Sequence, residues 1–257
     1  MQKIIMLGTG DPLTDERVQT SFALPLDDGE TLLVDTTSGT ALLHQLRAAG
    51  LALAGIRHLV MSHRHFDHAG GLAPLLTALV AVPEARLTVY AGYDTMSALR
   101  ALLTLTIPGV ESWLGARLQW RALAEGVPVE VGSVMVTPFA VDHGMECMGF
   151  RFAFGATDVV FSADTRPCPA LVAHARDADL LIHEAYGVAA AAAEAHAYGH
   201  STAADAGTAA REAGAGRLLL THFRASRFAD PSALSVEAEA AFGRSVELAR
   251  DLDVITC

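Results

Sequence analysis

Apolar residues fall mainly into short runs separated by turn residues, with a few stretches that repeat at helical spacing. Residues 3–7, 21–26, 31–35, 56–61 and 87–91 read as strands, the second and third forming a hairpin around the turn at 27–29. Residues 40–49 read as a helix stopped by Gly50, and 72–80 and 94–103 as two more. In the second half, 134–141, 149–154, 159–162, 179–183 and 218–221 read as strands. Helices are expected over 170–175, over 202–213 with Ser201 or Thr202 as N-cap and Gly214 as stop, and from Pro231 through Ala241. Residues 104–126, with Pro108-Gly109 and both tryptophans, read as a flap or local insertion with strand character near 118–123. No linker, charge run or repeat divides the chain, so two similar αβ halves sharing one core, a single domain over 1–257, is the simplest organisation.

The densest chemistry lies between the strand ending at Met61 and the helix starting after Gly71. His63-Arg64-His65-Phe66-Asp67-His68 puts four metal-ligand types in six residues. Three imidazoles and a carboxylate so close together repel when protonated and need partners when buried. A divalent ion that takes the imidazole nitrogens removes both costs. Distant segments must complete such a site, and three candidates each follow an apolar strand: His143, Asp164 and His222. The carboxyl ends of strands are where αβ folds place ligands.

Composition narrows the rest. With 51% hydrophobic and 18% charged residues, the chain can bury a large core. A net charge of −11 argues against a broad nucleic-acid footprint, though not against a small anion, because bound dications supply positive charge that the sequence count omits. The three cysteines, Cys147, Cys168 and Cys257, share no short spacing and read as free thiols in a reducing, cytoplasmic setting. Neither a secretory signal nor a run long enough to span a bilayer is visible.

His63-x-His65-x-Asp67-His68, then His143, Asp164 and His222, resembles the metallo-β-lactamase superfamily over essentially the whole chain. The branch it resembles includes ribonuclease Z and its phosphodiesterase and arylsulfatase-like relatives. Leu7-Gly8-Thr9-Gly10, Leu33-Val34-Asp35-Thr36, Ile182-His183-Glu184-Ala185 with Tyr186 in place of the branch's threonine, and Gly199-His200-Ser201-Thr202 carry that narrowing. The resemblance implies a four-layer αββα sandwich with metals at one edge. It places His63, His65 and His143 on one zinc, Asp67, His68 and His222 on a second, and Asp164 between them. Manganese or iron would suit the same donors. It also implies that Asp67 orients the attacking water, and that His200, held by Glu184, contacts the phosphate and protonates the leaving group. His183 is either support for this group or a strand-end polar residue, and Asp35 a hydrogen-bonding residue behind the ligands. His44, His58, His174 and His196 have no partner pattern and read as surface or structural.

The sequence departs from tRNA-processing members in lacking a basic arm between His143 and Asp164 and in its acidic loop Asp11–Arg17. Folded RNA is therefore not the expected substrate. The leading expectation is a phosphodiesterase or sulfatase-like esterase for a small anionic ester, with residues 103–120 walling an apolar pocket. Arg17, Arg64 and Arg224 read as solvated surface residues before anion ligands. Ribonuclease Z itself and a lactonase using Tyr186 as a donor are the alternatives. Relatives of this branch are often dimers, and the apolar fraction permits a homodimer here.

Overall fold

The computed structural model describes residues 2–27, 29–227 and 230–257; Asp28, in the turn expected at 27–29, lies outside them. One sheet contains β1 (Lys3–Gly8), β2 (Ser21–Pro25), β3 (Thr31–Val34), β4 (Ile56–Val60), β5 (Leu87–Ala91), β6 (Leu118–Ala122) and β14 (Val254–Thr256), in the order β14-β1-β2-β3-β4-β5-β6. The other contains β7 (Val129–Val131), β8 (Val134–Ala140), β9 (Met148–Phe154), β10 (Thr157–Phe161), β11 (Leu180–Glu184), β12 (Arg217–Thr221) and β13 (Glu247–Leu248), in the order β13-β12-β11-β10-β9-β8-β7. The helices are α1 (Ala41–Ala48), α2 (Phe66–Ala69), α3 (Leu72–Val80), α4 (Tyr93–Thr106), α5 (Val110–Leu114), α6 (Pro169–His174), α7 (Ala192–Tyr198), α8 (Ala203–Ala213) and α9 (Ser232–Phe242).

Strand alternation makes the layers. Phe22 and Leu24 of β2 face the space between the sheets, while Ala23 faces the outer helices. Val159 and Phe161 of β10 and Leu180 and Ile182 of β11 do the same from the other sheet, with Val160 and Leu181 turned outward. Because both faces are covered, these strands read as continuous apolar runs. Phe22 meets Phe161 edge-on across the gap, with ring centroids 5.2 Å apart. On the outside, Leu72, Leu75, Leu76 and Leu79 give α3 one buried stripe against the first sheet. The buried face of α8 is alanine with Gly207, where a Cβ would lie 2.3 Å from the Ala238 carbonyl oxygen; small residues let α9 approach closely. The result is the expected αββα sandwich.

Residues 104–126 are neither a flap nor an insertion. The helix expected over 94–103 runs on to Thr106, α5 follows, and β6 completes the first sheet by parallel pairing from Leu87↔Leu118 to Ala91↔Ala122. An edge strand has one covered face, so Gln119 and Arg121 interrupt the apolar run that marks the interior strands. Helix α7, absent from the expectations, is the alanine-rich stretch closed by Gly199 in the left-handed region, φ +87°. Among the described residues, no helix is long and apolar enough to cross a membrane.

Candidate metal centre

Strands β8, β10, β11 and β12 share one direction, so their carboxyl ends lie at one edge of the second sheet. His143, Asp164, Glu184 and His222 stand at or just past those ends, opposite the loop after β4 that carries His63, His65, Asp67 and His68. Three non-glycine residues here are left-handed: Asp35 (φ +55°) after β3, Ala163 (φ +52°) before Asp164, and His222 (φ +55°). Each such residue costs on the order of 1–2 kcal/mol, a strain that turns the chain sharply at the strand end.

The seven side chains named from the sequence converge in two overlapping groups. His63, His65, His143 and Asp164 form one, and Asp67, His68, His222 and Asp164 the other; within each group the donor atoms lie within 4.8 Å of one another. His65 Nδ1 sits 3.0 Å from His63 Nε2 and 3.2 Å from His143 Nε2. Asp164 Oδ2 lies 3.6 Å from His63 Nε2, 3.3 Å from His68 Nε2 and 3.4 Å from His222 Nε2. Asp67 Oδ2 is 3.2 Å from His222 Nε2. Tetrahedral ligands at ~2.1 Å from an ion are separated by about 3.4 Å, so these spacings suit one divalent ion per group.

Hydrogen bonds behind the donors fix which nitrogen faces inward. Asp35 accepts from the Ser62 amide (2.8 Å), the Ser62 hydroxyl (2.7 Å) and His68 Nδ1 (2.8 Å), and Ser62 Oγ accepts from His63 Nδ1 (3.0 Å). One carboxylate thus turns the Nε2 lone pairs of His63 and His68, one in each group, toward the cluster. His143 Nδ1 donates to the Gly199 carbonyl at 2.8 Å, which bares its Nε2. Buried His68 Nε2 and Asp164 Oδ1 have no hydrogen-bond partner among the described residues. Burial alone makes such atoms costly, and a cation would satisfy both.

Charge balance agrees. Burial, with the imidazoles of His68, His143 and His65 nearby, pushes His63 well below the ordinary histidine range, into the neutral form that ligates. Burial would raise Asp164, but His222 and His68 hold it well below the usual carboxylate range. Burial also works against protonation of His68, yet Asp164, Asp67 and Asp35 raise its pKa well above normal. An ion binding there must displace that proton, so loading weakens as pH falls.

Two substitutions test this shell. Asp35→Ala should lower divalent-metal affinity by about 10–100-fold, measured by competition with a chelator, because both His63 and His68 lose their orientation. At Gly199 an added Cβ would lie 2.8 Å from His143 Nδ1, on a left-handed backbone. Gly199→Ala should therefore displace His143 and weaken the His63–His65–His143 group while the Asp67–His68–His222 group still loads, which metal titration with two resolved steps would show.

Beside the cluster, Glu184 accepts from His200 Nδ1 at 3.0 Å and from the Thr165 amide at 2.7 Å. His200 stacks on His222 (centroids 5.4 Å apart, planes 21°) and on Tyr186 (5.4 Å, 17°). Burial disfavours the imidazolium, but the Glu184 carboxylate outweighs it and raises the His200 pKa to about 9. Neither His200 nor Ser201 caps α8: Thr202 does, in a capping box with Asp205, and Ser201 donates to the Thr165 carbonyl. His183 bonds the Glu184 carbonyl from within the core. His58 pairs with Glu30, His196 with Asp205, His174 stacks on Phe139, and His44 is exposed.

A cavity of about 440 Å³ opens onto the cluster, lined by residues 11–13, 65–67, Asp164, Tyr186, Tyr198, His200 and Arg224. Residues 103–120 take no part in it: Leu103 and Trp120 pack with the outer face of the first sheet, because this stretch is edge strand and helix. Arg224 is not a solvated surface residue; it lines the cavity and pairs with buried Asp11 at 3.0 Å. Arg17 is spent on Thr9, the Ala249 carbonyl and the ring of Phe223, whereas Arg64 is exposed. Ser62, Gly199 and the Asp11–Arg224 pair were not legible in the sequence. The first two act through a hydroxyl and a carbonyl that leave no pattern, and the third joins the two ends of the chain.

Residues 30–223 match the family model for the beta-lactamase superfamily domain. The chain is similar to ribonuclease Z of Kineococcus radiotolerans (32% identity, covering 99% of this chain and 95% of that protein) and of Geobacillus kaustophilus (30%, 93% and 93%). These alignments run over 302 and 296 positions against a chain of 257, so both relatives carry segments that this chain lacks. Among solved structures, the metallo-beta-lactamase fold protein YhfI of Bacillus subtilis superposes with a TM-score of 0.85 at 25% identity over 100% of both chains. The short form of human tRNase Z does so with a TM-score of 0.77 at 23% identity, over 99% of this chain and 98% of that one.

Proposed function

The chain belongs to the beta-lactamase superfamily and is a ribonuclease Z-like, metal-dependent hydrolase of ester bonds; we propose that it loads two divalent ions, zinc by donor type, and cleaves a small anionic phosphodiester. Asp164 carries this reading, because its carboxylate is common to both donor groups. His63, His65 and His143 would hold one ion, Asp67, His68 and His222 the other. Ions so held supply Lewis acidity toward the phosphoryl oxygens and lower the pKa of water toward neutrality.

The protein's own groups do the rest. Asp67, whose Oδ2 is shared with His222, orients water at the cluster. The His200 imidazolium stands at the cavity with Glu184 behind it, placed to hold a phosphoryl oxygen and to pass a proton to the departing alkoxide or phenolate. Glu184 keeps that proton in place by charge.

Cleavage of an RNA precursor is the second reading, favoured by the names of the relatives. The interval from His143 to Asp164 is occupied here by the β9–β10 hairpin, without a protruding arm. A lactonase role is less well supported, since the Tyr186 hydroxyl donates to Glu194 at 2.6 Å instead of facing the cluster. A substrate panel on metal-quantified protein decides among them. Turnover of bis-aryl phosphodiesters well above aryl sulfates, lactones and a tRNA precursor is the expected result; a preference for any of the other three would replace the proposal.

A further inference from the structure

The mouth of the cavity is more apolar than an anion site requires. Phe66 stands between His65 and Asp67 in the chain, so its neighbours fix it at the cluster, yet 59% of its surface is exposed. Tyr198 (65% exposed) and Leu13 (67%) line the same opening. Single exposed apolar residues are ordinary, but three around one cavity form a surface that binding would cover. The rings also form a series: Tyr198 lies 6.3 Å from Tyr186, and Tyr186 stacks on His200.

Cationic side chains at this rim are already matched. Arg224 is the only arginine or lysine among the described residues lining the cavity, and Asp11 neutralises it. Arg227 lies over the Tyr186 ring, 4.3 Å from its centroid, and is paired with Glu194. A second negative charge on the substrate, away from the cluster, would thus meet paired guanidinium groups and aromatic faces.

We propose that the rim formed by Phe66, Tyr198 and Leu13 is a subsite for a planar, uncharged aromatic substituent of the substrate, an aryl group or a nucleobase. The inference rests on the phosphodiester reading above: the phosphoryl group sits at the ligands and the ring covers the exposed aromatics. Stacking of this kind is worth enough to change affinity by about tenfold or more.

The test uses metal-loaded protein and three phosphonate monoesters as competitive inhibitors: methyl methylphosphonate and methyl phenylphosphonate, both monoanions, and methyl 4-carboxyphenylphosphonate, whose carboxylate adds a second charge. The phenyl compound should bind at least about tenfold tighter than the methyl one, and the carboxyphenyl compound should lose that gain. Phe66→Ala and Tyr198→Ala should each shrink the phenyl-to-methyl ratio, and Phe66→Tyr should keep it. A nucleoside methylphosphonate binding tighter than the phenyl compound would identify the ring as a base, and weaker binding as a simple aryl group. Equal inhibition by phenyl and methyl compounds, or a phenyl preference that survives both alanine variants, overturns the subsite while diester turnover stands. If no analogue inhibits and no diester is turned over, the phosphodiester reading fails and the subsite with it.

Discussion

Asp164→Asn is expected to reduce turnover by on the order of 10³-fold or more and to leave less than two equivalents of metal on the protein. The side chain is isosteric, so the change removes charge with little change in volume. That charge is shared by His63, His68 and His222, each within 3.6 Å of Oδ2. Lewis-acid stabilisation at such a centre amounts to several kcal/mol, and each 1.36 kcal/mol is tenfold in rate. Metal content by mass spectrometry and thermal shift on adding zinc give readouts independent of rate. The native protein should gain stability with zinc concentration and the variant much less, since the gain follows the ratio of free metal to its dissociation constant. An unaltered zinc shift and rate would remove Asp164 from the centre.

The second large effect concerns His200. His200→Ala should lower kcat by about 10²–10⁴-fold, the usual worth of a positioned proton donor, while metal content stays near two equivalents. The pH dependence has a defined sign. With its pKa raised to about 9, His200 is protonated through neutral pH, and activity is lost as pH rises through that value. Glu184→Gln removes the charge that raises the pKa, so the alkaline limb should move to lower pH. In His200→Ala that limb should disappear. Loss of metal in His200→Ala would instead place this imidazole among the ligands, a position its nearness to His222 makes a fair comparison.

The place of residues 63–68 in the cluster was legible in sequence because the stretch is dense: four potential donors in six residues are costly to fold together unless an ion takes their lone pairs. Asp164 and His222 were legible because each follows a strand with an unbroken buried apolar run, and His143 because apolar residues dominate the end of β8, although Met135 and Ala140 of that strand are exposed. The interior strand β5 matched for the same reason as the strands before Asp164 and His222, and α3 because its buried leucines recur at helical spacing. β6 was legible only as strand character near 118–123 within a supposed flap, and elements of very few residues were not legible. β6 carries Gln119 and Arg121 outward, and β7, β13 and β14 are too short for a period to show. The cavity wall was misplaced because tryptophans in a turn-rich stretch resemble a lid. The actual wall comes from Leu13, Phe66, Tyr186 and Tyr198, drawn from four separate segments that only the assembled edge brings together.

Crystals of zinc-loaded protein, with data collected across the zinc absorption edge, address the paired-ion centre most directly. Two anomalous peaks are predicted, one among His63, His65, His143 and Asp164 and the other among Asp67, His68, His222 and Asp164. A single peak, or a second one whose ligands exclude Asp164, would contradict the account.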